Sequence, residues 1–364
     1  MTITDPEIVQ LRLLNQRISL PTFAKPEEVV DWLGAVQAQD YFGAKWSLGL
    51  RMRGAKDNSI DQAFNDGSIL RTHLLRPTWH FVTPEDIRWL LALTAPQVHK
   101  ISAYMVRNVE LDDSIFKRSD AILGKALEGG NQLTRDELKG VLEGAGIATN
   151  NGVRTSYLMM HAELEGIICS GPRRGKQFTY ALLDERAPQT GVFAREEALA
   201  KLAQRYFVSR GPATVQDFAK WSSLSLADAR NGLEGIKDGL EHETVDKQTC
   251  WFLRPKSPIM TETPTAHLLS VYDEYISSYK DRSAMAGEAL TKQFSAMGNA
   301  LQYIIIVDGQ YVGTWKRILK KDAAIIQLNP LTELNKEENE AIAGAARKYG
   351  TFLDLPVVLE TVKF

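Results

Sequence analysis

The chain is poor in cysteine. Among its 364 residues it has two, Cys169 and Cys250, which lie in different segments among apolar neighbours. This favours buried free thiols over a disulfide bridge, and no group of cysteines and histidines has the spacing of a metal site. We therefore predict that the protein uses no metal and no organic cofactor.

Long hydrophobic runs are also missing. No apolar run approaches the roughly 20 residues that are needed to span a bilayer, and residues 1–6 lack the charged and apolar regions of a secretory signal. These absences predict that the protein has no membrane partner. We expect it to be monomeric and cytoplasmic.

The chain has no large excess of acidic or basic residues, because its formal net charge is −2 and its sequence pI is about 6.4. The total charge therefore does not indicate nucleic-acid binding, which would need a local basic surface. What the chain does have is 44% hydrophobic residues. At this length, that content predicts two to four domain-sized units.

The N-terminal part has the pattern of helices. Apolar residues recur at helical spacing over residues 7–18 and 26–37, and Ser59 is suited to cap a third helix over residues 60–65. The stretch between them, 43–54, contains several glycines and carries no predicted element.

A hairpin is predicted next. Residues 69–74 and 78–82 have the composition of two strands around a turn at 75–77. Helices followed by a hairpin are typical of a winged helix. Beyond it, one helix is predicted over residues 83–93 and another from Pro96.

The middle of the chain contains a weak internal repeat. Residues 134–138 resemble residues 214–218, since each group begins with a threonine that can cap a helix and has an acid three residues on. Each is followed by Leu-Glu-Gly-Ile, at 164–167 and at 233–236. We interpret these as the ends of the third helices of two further units.

Each of these units is expected to end in a hairpin. Residues 167–170 are predicted to pair with 178–182, and residues 240–245 with 249–253 around a turn at 246–248.

Strands replace helices in the last part of the chain. A hairpin is predicted from residues 301–307 and 311–315 around Asp308-Gly309, followed by a strand over 324–328 and a helix over 336–349. We interpret this region as a small β-barrel or curled sheet.

The expected fold class is α+β, with three tandem winged-helix (helix-turn-helix) modules followed by a C-terminal small β-barrel. The predicted boundaries place the modules at residues 1–115, 116–190 and 191–256, and the barrel at residues 257–364.

The most informative motif is Gln37-Ala38-Gln39, which the helical pattern places at the C-terminal end of the helix over 26–37. Glutamine does not titrate near neutral pH, so it is not an ordinary general base, but its side-chain carbonyl can hold a water molecule. A held water suffices only where the leaving group is already activated, as an alkylated, positively charged purine is. The motif suggests hydrolytic removal of a damaged base.

Helix geometry opposes this interpretation, because residues two apart on a regular helix point to different sides. The helix must therefore loosen or end here, for which Gly43 provides a reason. The alternative is that Gln37 and Gln39 are ordinary polar residues at a helix end.

Several groups of residues together resemble one protein family. They are Val36-Gln37-Ala38-Gln39; Leu70-Arg71-Thr72 with Arg76-Pro77-Thr78-Trp79-His80; Tyr272-Asp273-Glu274-Tyr275 with Tyr279-Lys280-Asp281-Arg282; and Val312-Gly313-Thr314-Trp315. Over essentially the whole chain, the sequence resembles the winged-helix bacterial DNA glycosylases of the AlkZ and YcaQ type.

The resemblance implies three winged-helix units, a C-terminal β-barrel, and an enzyme that excises alkylated purines, in some members by unhooking DNA crosslinks. The Gln-x-Gln form is that of the AlkZ-like branch, so Gln37 and Gln39 are implied as the catalytic residues of a monofunctional glycosylase. Its partner would be double-stranded DNA with alkylated bases, which would place the protein on the nucleoid when bound. Pro77 is a departure, because relatives commonly have glycine there; proline fixes φ and removes a backbone donor.

His80 and Trp46 are candidates for supporting the site. The imidazole of His80 can hydrogen-bond a phosphate or a water, although strand alternation favours a structural histidine equally well. Trp46 can stack against a base or belong to the core. Asp40 is expected in a cap or turn, and Lys45 stays open as an amine nucleophile.

The clearest predicted DNA contact is the turn over residues 171–176, with Arg173, Arg174 and Lys176 where the wing of the second module would project. The alternative is a solvated loop.

A basic face on the first module is expected from Arg51, Arg71 and Arg76. Tyr275 and Arg282 are expected to stack on or pair with nucleic acid, or else to join domains.

Two other functions stay open. One is a non-catalytic winged-helix DNA-binding protein or transcriptional regulator, because winged helices are more often regulators than enzymes. The other is a scaffold or pseudoenzyme.

Overall fold

The computed structural model describes residues 4–149, 152–189, 191, 193–245, 247–254, 264–287, 290–292 and 303–362. Residue 246 of a predicted turn and residues 301–302 of a predicted strand lie outside the described residues. Both cysteines are buried and neither is in a disulfide bridge, as predicted. Among the described helices, none is both long and apolar enough to cross a bilayer.

The first segment contains five helices and three strands. They are α1 (Asp5–Asn15), α2 (Pro26–Leu33), β1 (Val36–Gln37), α3 (Tyr41–Leu50), α4 (Asp57–Asp66), β2 (Leu70–Leu74), β3 (Arg76–Val82) and α5 (Ile87–Asn108).

The second and third segments follow. The second contains α6 (Asp113–Leu127), β4 (Leu133–Thr134), α7 (Arg135–Gly144), α8 (Gly152–Leu164), β5 (Ile168–Ser170), β6 (Thr179–Leu182) and α9 (Leu183–Arg186). The third contains α10 (Arg195–Arg210), α11 (Val215–Ser222), α12 (Leu226–Glu234), β7 (Glu241–Val245) and β8 (Gln248–Phe252).

The first two segments share one order of elements, a helix, a short strand, two helices and a hairpin, and the third has the same helices and hairpin without the short strand. The sheet orders β1-β3-β2 and β4-β6-β5 match, and in the third segment a single bridge between Ala213 and Trp251 stands where the short strand would be. The predicted repeat has its physical cause in the caps, because Thr134 and Thr214 each form a capping box with the acid three residues on. Both Leu-Glu-Gly-Ile sequences lie at helix ends, as predicted.

Four helix predictions for the first segment were wrong. Ser59, which was predicted to cap the third helix, lies inside α4, whose N-terminal cap position is Lys56. The helix predicted over residues 26–37 ends at Leu33, because Gly34 takes a left-handed φ of +75° and caps it. The glycine-containing stretch forms α3; a side chain at Gly49 would clash with the ring of Phe352, 2.6 Å from its Cβ position. Pro96 begins no new helix but lies inside α5, where buried Leu93 and Val98 keep the helix continuous although one backbone hydrogen bond is lost.

The hairpin of the first segment is tighter than predicted. Leu75, with φ +60°, stands alone between β2 and β3. Because Leu74 pairs with Arg76 and His73 with Trp79, Pro77 lies in a bulge of β3. Its missing N–H therefore removes no hydrogen bond from the β2–β3 ladder.

The C-terminal region is a five-stranded sheet with helices packed beside it. Its elements are β9 (Ala266–Leu269), α13 (Glu274–Ser277), β10 (Tyr303–Val307), β11 (Gln310–Leu319), β12 (Ala324–Pro330), α14 (Lys336–Leu353) and β13 (Val357–Thr361).

This sheet has the order β13-β12-β11-β10-β9, with β12 and β13 parallel and the other neighbours antiparallel. Over the described residues β9 and β13 are edges that do not pair with each other, so the predicted closed barrel is corrected to an open sheet. The predicted turn at Asp308-Gly309 is confirmed, with both residues at positive φ.

Aromatic packing joins the sheet to the first segment. The ring of Tyr349 on α14 lies between Trp46 of α3 and Trp315 of β11, at centroid distances of 4.9 and 5.2 Å. This contact fixes α3, and with it the preceding motif, against the sheet.

Candidate active site

Gln37 ends strand β1, and Gln39 lies in the bend that follows it, so neither residue is at the C-terminal end of a helix. Gln37 pairs with His80 across β1 and β3, and the N–H of Ala38 donates to the carbonyl of Trp79 at 2.7 Å. The geometric objection to a joint role disappears, because the chain leaves the helix before the motif begins.

The two glutamines differ in accessibility. Gln37 is buried, with 7% exposure, and its backbone N–H donates to Glu274 Oε1 at 3.0 Å. Gln39 is exposed, and its Oε1 accepts a hydrogen bond from the Trp79 N–H at 3.3 Å. Gln37 is therefore the fixed member of the pair, and Gln39 the member that solvent reaches.

Arg76 holds the side chain of Gln37. Its Nη2 donates to Gln37 Oε1 at 3.0 Å and lies 3.2 Å from His80 Nε2, while Nη1 donates to the carbonyl of Trp221. We predicted a DNA contact for Arg76, but its donors are directed into the protein.

His80 is a neutral imidazole in this arrangement. It is fully buried, and its Nδ1 donates to the carbonyl of Thr78 at 2.9 Å, which leaves Nε2 to accept from Arg76. Burial and the charge of Arg76 hold the pKa of His80 well below its ordinary value. His80 thus supports Gln37 through Arg76, and it neither meets a phosphate nor supplies a proton near neutral pH.

Glu274 holds the backbone of Gln37 in place from within the core. This buried carboxylate accepts from Arg210 Nη2 at 2.7 Å and Trp221 Nε1 at 2.9 Å, besides the N–H of Gln37. Burial raises the pKa of Glu274, but the charges and hydrogen bonds of Arg210 and the charge of Arg76 outweigh it, so the net pKa is lowered. The carboxylate stays ionised and ties the first segment, the third segment and the C-terminal region together.

Arg71 fixes the backbone between the two glutamines. Its Nε donates to the carbonyl of Ala38 at 3.0 Å, and its guanidinium lies between the rings of Trp79 and Phe178, 4.3 and 4.8 Å from their centroids. Burial lowers the pKa of Arg71 to about 10. The predicted place of Arg71 on a DNA-binding basic face is corrected, since the side chain is buried.

Three other predicted site residues belong to the core. Arg51 is fully buried and forms two hydrogen bonds of 2.9 Å with Asp273. Tyr275 is fully buried and donates to the carbonyl of Gly309, and Trp46 donates to the carbonyl of Leu268. Their burial contradicts DNA contacts for Arg51 and Tyr275 and base stacking for Trp46.

Lys45 and Asp40 have structural roles. The buried ammonium of Lys45 lies 2.6 Å from Asp57 and 2.7 Å from Asp61, so it is not a free amine nucleophile. Asp40 stands at the N-terminal cap position of α3, as predicted, and its carboxylate accepts from the hydroxyl of Tyr303 at 2.7 Å.

The cationic turn lies between β5 and β6, as predicted. Arg173 is half-buried, with its backbone N–H donating to Asn65 and its guanidinium 3.4 Å from Asp61. Arg174 is exposed beside Glu137, and Lys176 is exposed. The turn thus rests on α4 and presents two cations to solvent. Arg282 is half-buried.

Phe42 is an exposed aromatic that the sequence did not single out. It lies three residues after Gln39, its side chain is 49% exposed, and Arg173 and Arg317 lie 5.8 and 5.9 Å from its ring centroid. Arg317 belongs to the hairpin of β11 and β12, whose end exposes Ile318, Leu319, Lys320 and Lys321. Arginines from two cationic hairpins therefore lie beside the ring of Phe42.

The family model of the AlkZ-like DNA glycosylases matches residues 30–352 of the chain. The chain belongs to the AlkZ-like DNA glycosylase family. It is 24% identical over 332 residues to an interstrand DNA cross-link repair glycosylase of Streptomyces sahachiroi, a match that covers 85% of this chain and 87% of that protein. The solved structure of the S. sahachiroi DNA glycosylase AlkZ superposes with a TM-score of 0.80 at 22% identity, covering 99% and 100% of the two chains.

In this AlkZ-like DNA glycosylase, the residues that sequence reasoning missed are those beneath the motif. Glu274, Arg210 and Trp221 are distant from Gln37 in the chain and meet it only in the fold. A signal was present in Tyr272-Asp273-Glu274-Tyr275, which we interpreted through its aromatic residues. The two acids are instead the buried anchors, Asp273 for Arg51 and Glu274 for Gln37.

Proposed function

We propose that this enzyme hydrolyses the N-glycosidic bond of alkylated purines, of the 7-alkylguanine and 3-alkyladenine type, with Gln37 and Gln39 positioning the attacking water. The observation that carries the proposal is that the side-chain oxygens of both glutamines accept hydrogen bonds from residues of β3, with Gln37 held by Arg76 and Gln39 open to solvent. A carbonyl oxygen has two lone pairs, so each glutamine retains one for water.

The chemistry matches an activated leaving group. The water oxygen forms a bond to the anomeric carbon as the carbon–nitrogen bond breaks, and the bonding pair neutralises the positive charge of the alkylated base. The proton of the water passes to solvent. Because the base leaves as a neutral molecule, no general acid is required, in keeping with a neutral His80.

The surroundings of Gln39 suggest how DNA is bound. We propose that the three repeated segments are winged-helix modules at residues 1–115, 116–190 and 191–256, followed by the sheet region at 257–364. Arg174 and Lys176 on the turn and the cationic β11–β12 hairpin would contact phosphates on either side of Phe42. Arg282, half-buried, stays a proposed contact.

Bulky lesions suit this site because Gln39 is exposed. The S. sahachiroi relative is named for the repair of interstrand crosslinks. We extend that substrate class to this enzyme, including crosslinks through N7 of guanine.

A base-release assay tests the proposal. A duplex with one 7-methylguanine and a duplex with an N7-linked crosslink are incubated with excess enzyme, and single-turnover rates are measured. Gln39→Ala and Gln37→Ala should each reduce the rate by about 10²-fold or more, whereas Gln10→Ala, an exposed glutamine on α1, should not. Tight binding of one DNA sequence without base release would favour the regulator instead.

A further inference from the structure

Two histidines and a glutamate that are distant in sequence meet between α5 and α8. His99 comes from α5, His161 from the last turn of α8, and Glu165 directly follows that helix. One ligand atom from each lies within 4.8 Å of the others, and His99 Nε2 is 2.8 Å from Glu165 Oε1. The N–H of Glu165 still donates to the carbonyl of His161, so the two residues share one face of the helix.

A second carboxylate orients His161. Its Nδ1 lies 3.1 Å from Asp120 Oδ2, and its ring stacks on Phe116 with centroids 3.8 Å apart and an angle of 7°. A carboxylate beside Nδ1 accepts a hydrogen bond from the Nδ1–H, which leaves the lone pair on Nε2. Metal-binding histidines are held by carboxylates in the same way.

We propose that α5 and α8 bind a Zn²⁺ ion through His99, His161 and Glu165. Two imidazoles and one carboxylate form a donor set that zinc accepts, with the fourth tetrahedral position left for water. Tetrahedral ligand atoms are about 3.4 Å apart. The ion therefore replaces the proton between His99 and Glu165, whose ligand atoms separate by about 0.6 Å, and the more distant pairs of ligand atoms approach by up to about 1.4 Å. The side chains of His99 and Glu165 are 34% and 46% exposed and free to make this adjustment.

The open coordination position has space beside it. His99 and Glu165 line a groove of about 350 Å³ together with Arg88 and Pro96. The ion would join the helix that leaves the first segment to the third helix of the second segment. Because it binds the folded chain, Zn²⁺ stabilises that junction. This proposal is independent of the glycosylase mechanism.

Titration calorimetry with Zn²⁺ on the full-length, EDTA-treated protein tests the site. We expect one ion per chain and a rise in Tm on adding zinc. His99→Ala and His161→Ala should lose both, and Asp120→Asn should weaken the affinity by about 10–100-fold. His242→Ala, which removes an exposed histidine on β7, should bind as the wild type does.

Circular dichroism before metal addition identifies any variant that fails to fold. Glu165→Gln provides a further test, because Glu165 is exposed and its loss should not prevent folding. Absence of zinc binding by the wild-type protein would overturn the proposal. So would folded His161→Ala and Glu165→Gln proteins that bind zinc like the wild type.

Discussion

Arg76 donates to Gln37 Oε1 at 3.0 Å and also lies 3.2 Å from the unprotonated nitrogen of His80. These three residues come from one hairpin and the adjoining strand. The buried imidazole of His80 orients Arg76, and Arg76 in turn orients the side chain of Gln37. The charge of the arginine is balanced by ionised Glu274. The side chain of Gln37 is therefore oriented before DNA binds.

Arg76→Met should slow base excision at saturating enzyme by about 10–100-fold, because Gln37 loses its orienting donor. DNA affinity should change little, since the Arg76 donors are directed inward. Single-turnover rates and fluorescence anisotropy measure the two effects separately. The opposite pattern, with weaker binding and an unchanged maximal rate, would return Arg76 to the role of a phosphate contact.

Stability should fall as the pH is lowered below about 6.5. The folded protein keeps His80 neutral through burial, whereas the unfolded chain protonates it, so the unfolded state binds more protons below that pH. This histidine contributes a loss of up to about 2 kcal/mol between pH 6.5 and 5. Burial lowers the pKa of His267 to about 3, which adds a loss of the same sign.

Urea unfolding between pH 5 and 8 measures this dependence. His80→Gln should flatten it, whereas His242→Gln, at an exposed position, should not. An equally steep fall in His80→Gln would show that other groups carry the pH dependence.

Replacing Arg174 and Lys176 with alanine should weaken DNA binding and reduce its salt dependence. Each lost phosphate contact lowers the slope of log K against log salt by about 0.9. The ion pair of Arg174 with Glu137 is exposed and contributes little to stability. As a control, the double variant Lys237→Ala with Lys336→Ala removes two positive charges elsewhere and should leave the slope of log K against log salt unchanged. If both double variants show the same slope, the turn is not part of the DNA interface.

Arg51→Ala should destabilise the protein by about 3–5 kcal/mol, because it leaves Asp273 buried without its partner. Arg53→Ala, two residues on and exposed, should stay within about 0.5 kcal/mol of the wild type. Denaturant midpoints measure both. An Arg51→Ala protein of normal stability that fails to bind DNA would reverse the structural role assigned above.

Local signals in the sequence predicted many elements correctly. Some elements depend on residues only a few positions apart, so they can be recognised from the sequence. Examples are the capping boxes at Thr134 and Thr214 and the turn at Asp308-Gly309. The Gln-x-Gln motif was also recognisable as a unit. The edge strands β9 and β13 were missed, because each pairs with a strand distant from it in the chain.

The helix end before Gln37 shows why local periodicity can mislead. Apolar residues continue at helical spacing through Val36, but Gly34 stops the helix and pairing of Val36 with Phe81 recruits the next residues into a sheet. Gly34 could have indicated the end of the helix from the sequence alone. The pairing of Val36 with Phe81 could not, because Phe81 is distant in the chain. The same problem placed buried Arg51 on the surface, since Asp273 is far away in sequence.

Residue order alone therefore specified the capping boxes at Thr134 and Thr214, the turn at Asp308-Gly309, the Gln-x-Gln motif and the family, because all of these depend on near neighbours or on short fixed patterns. Folding in three dimensions determined which polar groups are buried and paired, how Arg76 and Glu274 meet Gln37, and where His99 meets His161. The physical reason is that burial and charge pairing arise from contacts between distant segments, and no local pattern encodes them.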